Sequence, residues 1–373
     1  MTRSDAPVDA IAAVTHPDPY PYYAGLVTAR PVHRDDGLGL WVAASAAAVS
    51  AVFTSAICRV RPTAEPVPRT IAGTAAGNVF GRMVRMNDGA YHLRMKPSVS
   101  ATVAMLDPAL VRRHAEAAAQ TLAAELAPAA HPARIADFAF RLPPYTLGAL
   151  LGLEAGALPG VAVAAGELVR GLAPGAAAAE VERGAAAATA LVGAVRTLPR
   201  YRGAGEDTVA NVVGFFWQSY EATAALVGNT LVALAAHAEA RERVAREPAA
   251  LPAVVSEVTR WDAPVQNTRR FVATDGEVAG QAMQAGDTVL LVLAAANRDP
   301  GANAEPARFD LGRRERRVFT FGFGAHACPG EALAVTIASA GVARLLADGV
   351  EPARVAASRT YRPSANMRMP LFA

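Results

Sequence analysis

The stretch Phe319–Gly330 reads FTFGFGAHACPG. It places one of the chain's two cysteines, Cys328, among three glycines, a histidine and three phenylalanines. Three chemistries would account for such a setting. A structural zinc site needs four ligands, and beyond His326 and Cys328 the sequence offers Cys58 and scattered histidines. A dinucleotide loop would use Gly322, Gly324 and Ala327 as G-x-G-x-x-A, with RVFTF as the preceding strand and Asp348 near the ribose position. Pro329 and Gly330 interrupt the helix start that this reading needs, and the 43 residues after Gly330 are too few for the rest of a doubly wound sheet. The third chemistry is a thiolate metal ligand at a helix N-terminus. Glycines let the backbone approach a large flat ligand, the helix start favours thiolate over thiol, and proline is well tolerated there. A loop phenylalanine shields the sulfur. These features suit haem held by cysteine thiolate.

FGFGAHACPG resembles the haem-binding loop of the cytochromes P450, F-G-x-G-x-H-x-C-x-G, with Phe321, Gly322, Gly324, His326, Cys328 and Gly330 all matching. The resemblance implies a mainly α fold with a minor β part, one haem domain spanning residues 1–373, and haem b (iron protoporphyrin IX) as cofactor. Cys328 would be the iron ligand, with Phe321, Gly322 and Gly330 against the haem.

Other motifs agree. EVTR puts Glu257 and Arg260 three apart on one helix face, where they can pair, and Glu257 lies 71 residues before Cys328, the family's interval. The family adds a third partner near an F-D step. Arg313 in RFDLGR is the candidate and Arg308 the alternative. DGAYHLRMK resembles the helix that approaches the haem, so His92 and Lys96, one turn apart, would bond a propionate. PVQNTRRFVA resembles the segment that supplies a further propionate arginine, Arg270, with Arg269 as the alternative. Val318 stands where the family often has histidine, which leaves His92, Lys96, Arg270 and His326 for the propionates.

The family's distal helix usually reads A-G-x-[D/E]-T. Anchored on Gly228 and Asn229, this chain reads Gln218-Ser219-Tyr220-Glu221-Ala222-Thr223. The acid is present as Glu221. Alanine replaces the alcohol, and Thr223 lies one residue beyond. Glu221, Gln218 and Thr223 are therefore the candidate oxygen-side residues. A water held by Gln218 or Ser219, a substrate hydroxyl, or peroxide as the oxidant would replace the missing alcohol, and an oxidative coupling or another unusual reaction is the remaining alternative.

A net charge of +3 is too small to point to nucleic acid. Two cysteines fit a reducing compartment. The N-terminal stretch lacks the charged and apolar regions of a signal peptide, and the apolar run Trp41–Val52 is too short for a bilayer. The expectation is a cytoplasmic protein with no membrane and no nucleic-acid partner. A strand is expected over Gly39–Ala44 and helices over Val111–Leu126, Pro144–Leu158, Thr208–Glu247, Pro252–Trp261 and Glu331–Leu346, with a loop at Pro174-Gly175. Small antiparallel strands are expected after Arg269. The resemblance implies oxidation (hydroxylation, demethylation or oxidative coupling) of a small organic or secondary-metabolite substrate with dioxygen and electrons from a ferredoxin or flavodoxin and its reductase, or with peroxide. The basic run Arg313–Arg317 is one surface for that partner. The competing reading is a haem-binding sensor or docking module that does not activate oxygen.

Overall fold

The computed structural model describes residues 6–373. The first five residues, part of the stretch read as lacking a leader, lie outside them. Among the described residues no helix is long and apolar enough to cross a membrane.

The chain is mainly helical. Helices α1 (Tyr20–Ala29), α2 (Ala46–Thr54), α3 (Ala75–Arg82) and α4 (Gly89–Ala104) lead to α5 (Pro108–Leu126). Side-chain oxygens start three of these: Ser45 accepts from the Ala48 amide, Thr74 from Gly77, and Asp107 from Ala109, each satisfying a donor that helix geometry leaves free. α6 (Ile135–Leu151) begins nine residues before the expected Pro144 and stops at Gly152, whose φ of 93° ends it. Pro143 and Pro144 sit inside this helix. The fully buried Phe138 and Leu142 contribute about 1.5–3 kcal/mol each, enough to offset the lost backbone bonds. α7 (Leu158–Gly171) and α8 (Ala178–Thr197) flank the expected Pro174-Gly175 loop.

The expected Thr208–Glu247 helix is two helices, α9 (Glu206–Ala236) and α10 (Ala238–Arg246). The break is at His237, with φ −118° and ψ 91°. Its ring stacks on Phe309 at 4.4 Å and meets Trp261 edge-on at 4.7 Å, so an aromatic contact takes the place of a continued helix. α11 (Leu251–Trp261), α12 (Leu293–Asn297), α13 (Glu331–Ala347) and α14 (Pro352–Ala357) follow.

Five strands form one sheet in the order β1 (Val32–Asp35), β2 (Leu40–Ala43), β7 (Thr288–Leu291), β4 (Thr268–Val272), β3 (Cys58–Arg59). The β5 (Gly276–Val278)–β6 (Gln281–Met283) hairpin is separate, as is the pair β8 (Thr360–Tyr361)–β9 (Pro370–Leu371). The pairings are antiparallel except β2–β7, which is parallel, Trp41 facing Val289.

Two helical cores share α9. One joins it to α5, α6, α11 and α13 through Phe138, Val227, Val258 and Ile337. The other joins it to α3, α7 and α8 through Phe80, Leu168, Leu191 and Phe216. Strand β9 lies close on α9: a Cβ on Gly228 would stand 2.7 Å from Pro370 Cγ. The C-terminal turn between β8 and β9 is held by Arg368. This buried guanidinium donates to Asp262 Oδ1 at 2.8 Å and to the carbonyls of Val14, His16 and Pro17, tying both ends of the fold to the C-terminal end of α11.

Candidate functional site

The loop before α13 is built from its buried start. The Phe319 amide donates to Asn297 Oδ1 at 2.6 Å, Asn297 Nδ2 donates to Thr320 Oγ1 at 2.8 Å, and Thr320 Oγ1 donates to the Thr259 carbonyl at 2.6 Å. Gly322 and Gly324 then take φ of 74° and 68°, a region costly for residues with a Cβ. The resulting turn lets the Cys328 amide donate to the Phe321 carbonyl at 2.7 Å. The Gly330 amide donates to Cys328 Sγ at 3.3 Å, one residue before α13 opens. No strand forms over Val318–Phe321, so the dinucleotide geometry is absent. The described residues contain no group of three or more metal-ligating side chains.

Behind the loop, Arg260 donates to Glu257 through Nε at 3.1 Å and Nη2 at 2.5 Å. Both side chains are buried. Arg313 is the third member: its Nε lies 3.6 Å from Glu257 Oε1, and its other nitrogens donate to the Ala304, Glu305 and Arg308 carbonyls. Arg308 instead directs its side chain to exposed Glu305. Arg316 reaches the Ser256 carbonyl, Thr259 Oγ1 and Glu331. Two arginines of the basic run thus turn inward, and Arg314 and Arg317 remain exposed.

In front of the loop lies a cluster of basic groups. Lys96 Nζ donates to the Ala327 carbonyl at 2.5 Å. The His326 and His92 rings are 4.1 Å apart. His326 Nε2 bonds Asp88 Oδ1 at 3.0 Å, and the Val60 amide donates to Asp88 Oδ2. Burial alone would raise the Asp88 carboxyl, but these two bonds hold it below its ordinary value. His92 Nε2 is buried without a partner. Burial, together with His326 and Lys96, lowers its pKa to about 4. Arg270 points inward, its Cζ 4.8 Å from the Phe53 ring centre, and burial lowers its pKa to about 10; Arg269 is exposed.

The sequence model of the family described as cytochrome P450 matches residues 204–348, which include the Cys328 loop. Over the full chain, the crystal structure of CalO2 superposes with a TM-score of 0.78 at 27% identity, covering 99% of each chain. The chain belongs to the cytochrome P450 family. Vitamin D(3) 25-hydroxylase of Pseudonocardia autotrophica is 37% identical over 147 residues, 39% of this P450 and 36% of that protein. 6-deoxyerythronolide B hydroxylase of Saccharopolyspora erythraea is 41% identical over 115 residues, 31% of this P450 and 28% of that protein. This P450 spans about a third of the length of the curated relatives it matches.

P450 family proteins bind haem b, and the residues of this P450 fit it. His92, Lys96, His326 and Arg270 gather near a single carboxylate, Asp88, which is already engaged. The partnerless His92 nitrogen and the desolvated Arg270 are unfavourable without an acceptor. Two propionates would supply it, and the accessible Cys328 sulfur lies near Lys96 and Arg85; burial lowers the pKa of both, and the charge of the sulfur works against that lowering.

On α9 of this P450, Glu221 Oε1 accepts from Arg362 Nη1. Gln218 Nε2 donates to the Gly214 carbonyl of its own helix at 2.9 Å. Thr223 is buried in the helical core and Ala222 half-buried. Asn229 Nδ2 donates to the Asp262 carbonyl at 2.9 Å, so the Gly228-Asn229 step serves packing. Sequence reading missed Asp88, Arg85, Asn297, Thr320 and Arg362. Their partners are far away in the chain, and no local pattern marks them.

Proposed function

We propose that this P450 is a haem-thiolate monooxygenase acting on a small organic substrate, with Cys328 as the axial ligand of one haem domain spanning residues 1–373. His92, Lys96, Arg270 and His326 meet the propionates, and Phe321, Gly322 and Gly330 lie against the ring. Thiolate-bound haem supplies the oxygen chemistry. The observation that carries the reading is the Gly330 N–H aimed at Cys328 Sγ beside a surplus of buried and half-buried basic groups. The loop residues orient the sulfur, and the basic groups neutralise the carboxylates. Electrons come from a ferredoxin or flavodoxin with its reductase, for which exposed Arg314 and Arg317 are one docking face, and the protein works in the cytoplasm.

Glu221 is the proton-handling group of the distal side, Gln218 and Thr223 its helix neighbours. Ala222 carries no hydroxyl, and Glu221 is tied to Arg362. That favours a second reading of the oxidant, in which hydrogen peroxide replaces dioxygen and the reductase. A haem protein without oxygen activation would show turnover with neither.

Reduced protein under carbon monoxide should show the red-shifted Soret band of thiolate ligation, and Cys328→Ser should lose it. A variant that keeps that band overturns the assignment. Product formed with peroxide, or with a ferredoxin system, then tells the oxidants apart.

A further inference from the structure

Arg85 lies in the short 3-10 turn Val84–Met86, between α3 and α4. Its backbone is fixed against α9. The Val84 amide donates to buried Asn211 Oδ1 at 2.8 Å, and Asn211 Nδ2 donates back to the Arg82 carbonyl at 3.0 Å. Met83, fully buried, packs so closely on Gly214 that a Cβ there would stand 2.9 Å from its sulfur. The flanking arginines, Arg82 and Arg94, both turn to Asp207.

Arg85 does not. Among the described residues its guanidinium has no ion pair and donates no hydrogen bond. Its Cζ lies 5.3 Å from the centre of the Trp217 ring on α9, and Trp217 in turn meets Phe80 at 6.2 Å. Arg61 lies 5.1 Å from the Phe80 ring centre and is likewise without an ion pair among the described residues. Arg85 is exposed; neighbouring protein partly desolvates it, and the charge of Cys328 acts on it, which places the guanidinium on the side of the fold that the loop sulfur faces. Trp217 beside it belongs to α9, one turn before Glu221.

We infer that Arg85 binds a carboxylate of the substrate, while the Phe80–Trp217 wall carries the apolar body to which that carboxylate is attached. The guanidinium presents a planar fork suited to a bidentate carboxylate, stacking on indole limits its motion, and no protein acid competes for it. A haem propionate is the other possible source of a carboxylate. His92, Lys96, Arg270 and His326 already provide for both propionates, from α4, β4 and the loop, whereas Arg85 stands against α9.

The inference rests on the haem-thiolate reading and names its substrate class. The test uses haem-replete protein and three matched pairs: dodecanoic acid, 4-phenylbutanoic acid and a bile acid, each with its methyl ester. Binding is read by calorimetry and, separately, by the Soret shift. At least one acid should bind about 10- to 100-fold tighter than its ester, the range for a hydrogen-bonded charge. Arg85→Gln should abolish that preference, leave the ester's affinity unchanged and keep full haem content, with Arg85→Lys intermediate. The inference is overturned if no acid is preferred, if the preference survives in Arg85→Gln, or if that variant loses haem, which would give Arg85 to a propionate. Absence of the thiolate spectrum in the unaltered protein would sink the haem reading alone, because calorimetry still decides whether Arg85 holds a carboxylate.

Discussion

Glu221 Oε1 and Arg362 Nη1 are 2.6 Å apart although 141 residues separate them in the chain. The bond joins the middle of α9 to the C-terminal turn. That turn is itself anchored: the Arg362 amide donates to the Met369 carbonyl, and Arg368 is locked onto Asp262. Glu221, the acid proposed for the oxygen side, is therefore positioned by the last strand pair of the fold.

The pair should matter to turnover and hardly to stability. Its side chains are 28% and 36% exposed, and such pairs contribute under about 1 kcal/mol. General acid–base assistance is worth about 10²–10⁴-fold. Hydrogen peroxide alone should support measurable turnover, and Glu221→Ala should lower it within that range without moving the urea midpoint. Arg362→Gln should give a smaller loss, and the double variant should be no slower than Glu221→Ala. Unchanged peroxide turnover in Glu221→Ala would remove Glu221 from the mechanism.

Glu257 behaves differently because it is buried. It holds Arg260 and neutralises Arg313, and Glu257→Ala leaves two guanidinium groups without their carboxylate. Breaking a buried pair costs about 3–5 kcal/mol, a large share of the stability of an ordinary domain. The expected outcome is a sharply lower denaturation midpoint and poor haem retention, because Thr259 and Arg260 of the same helix support the Cys328 loop. A variant with an unaltered midpoint would show that this cluster does not brace the loop.

The His92 site should give the protein a pH dependence. Its folded pKa, about 4, lies below the unfolded value of about 6.5. The unfolded chain then binds the extra proton first, so stability is greatest above about pH 6.5 and is lost as pH falls towards 4. Asp88, also held low, adds a further loss below about pH 3.9. In haem-free protein the urea midpoint should fall across the 6.5-to-4 window, and His92→Gln should flatten that fall. Bound haem should flatten it as well, since a carboxylate beside His92 restores its proton affinity. Parallel pH curves for the variant and the unaltered protein would dismiss the site.

Much of the site was legible because its signals are local. The FGFGAHACPG spacing encodes a turn that needs positive φ at Gly322 and Gly324. E-x-x-R encodes one helix face, and RFDLGR pointed correctly to Arg313. Helix limits failed where distant contacts won. α6 runs through Pro143 and Pro144 because its Phe138 face is buried, and α9 ends at His237 because Phe309 and Trp261 take its ring.

Sequence alone therefore determined the mainly helical class, the haem-type loop and the buried Glu257–Arg260 pair, since each depends on residues a few positions apart on one element. Tertiary structure alone decided the parallel β2–β7 pairing, the His326–Asp88 bond, the capture of Glu221 by Arg362 and the placing of Arg85 on Trp217. Those contacts join segments remote in the chain. Their free energy comes from burial and charge pairing once the cores around α9 have closed, and nothing in the spacing of neighbouring residues records it.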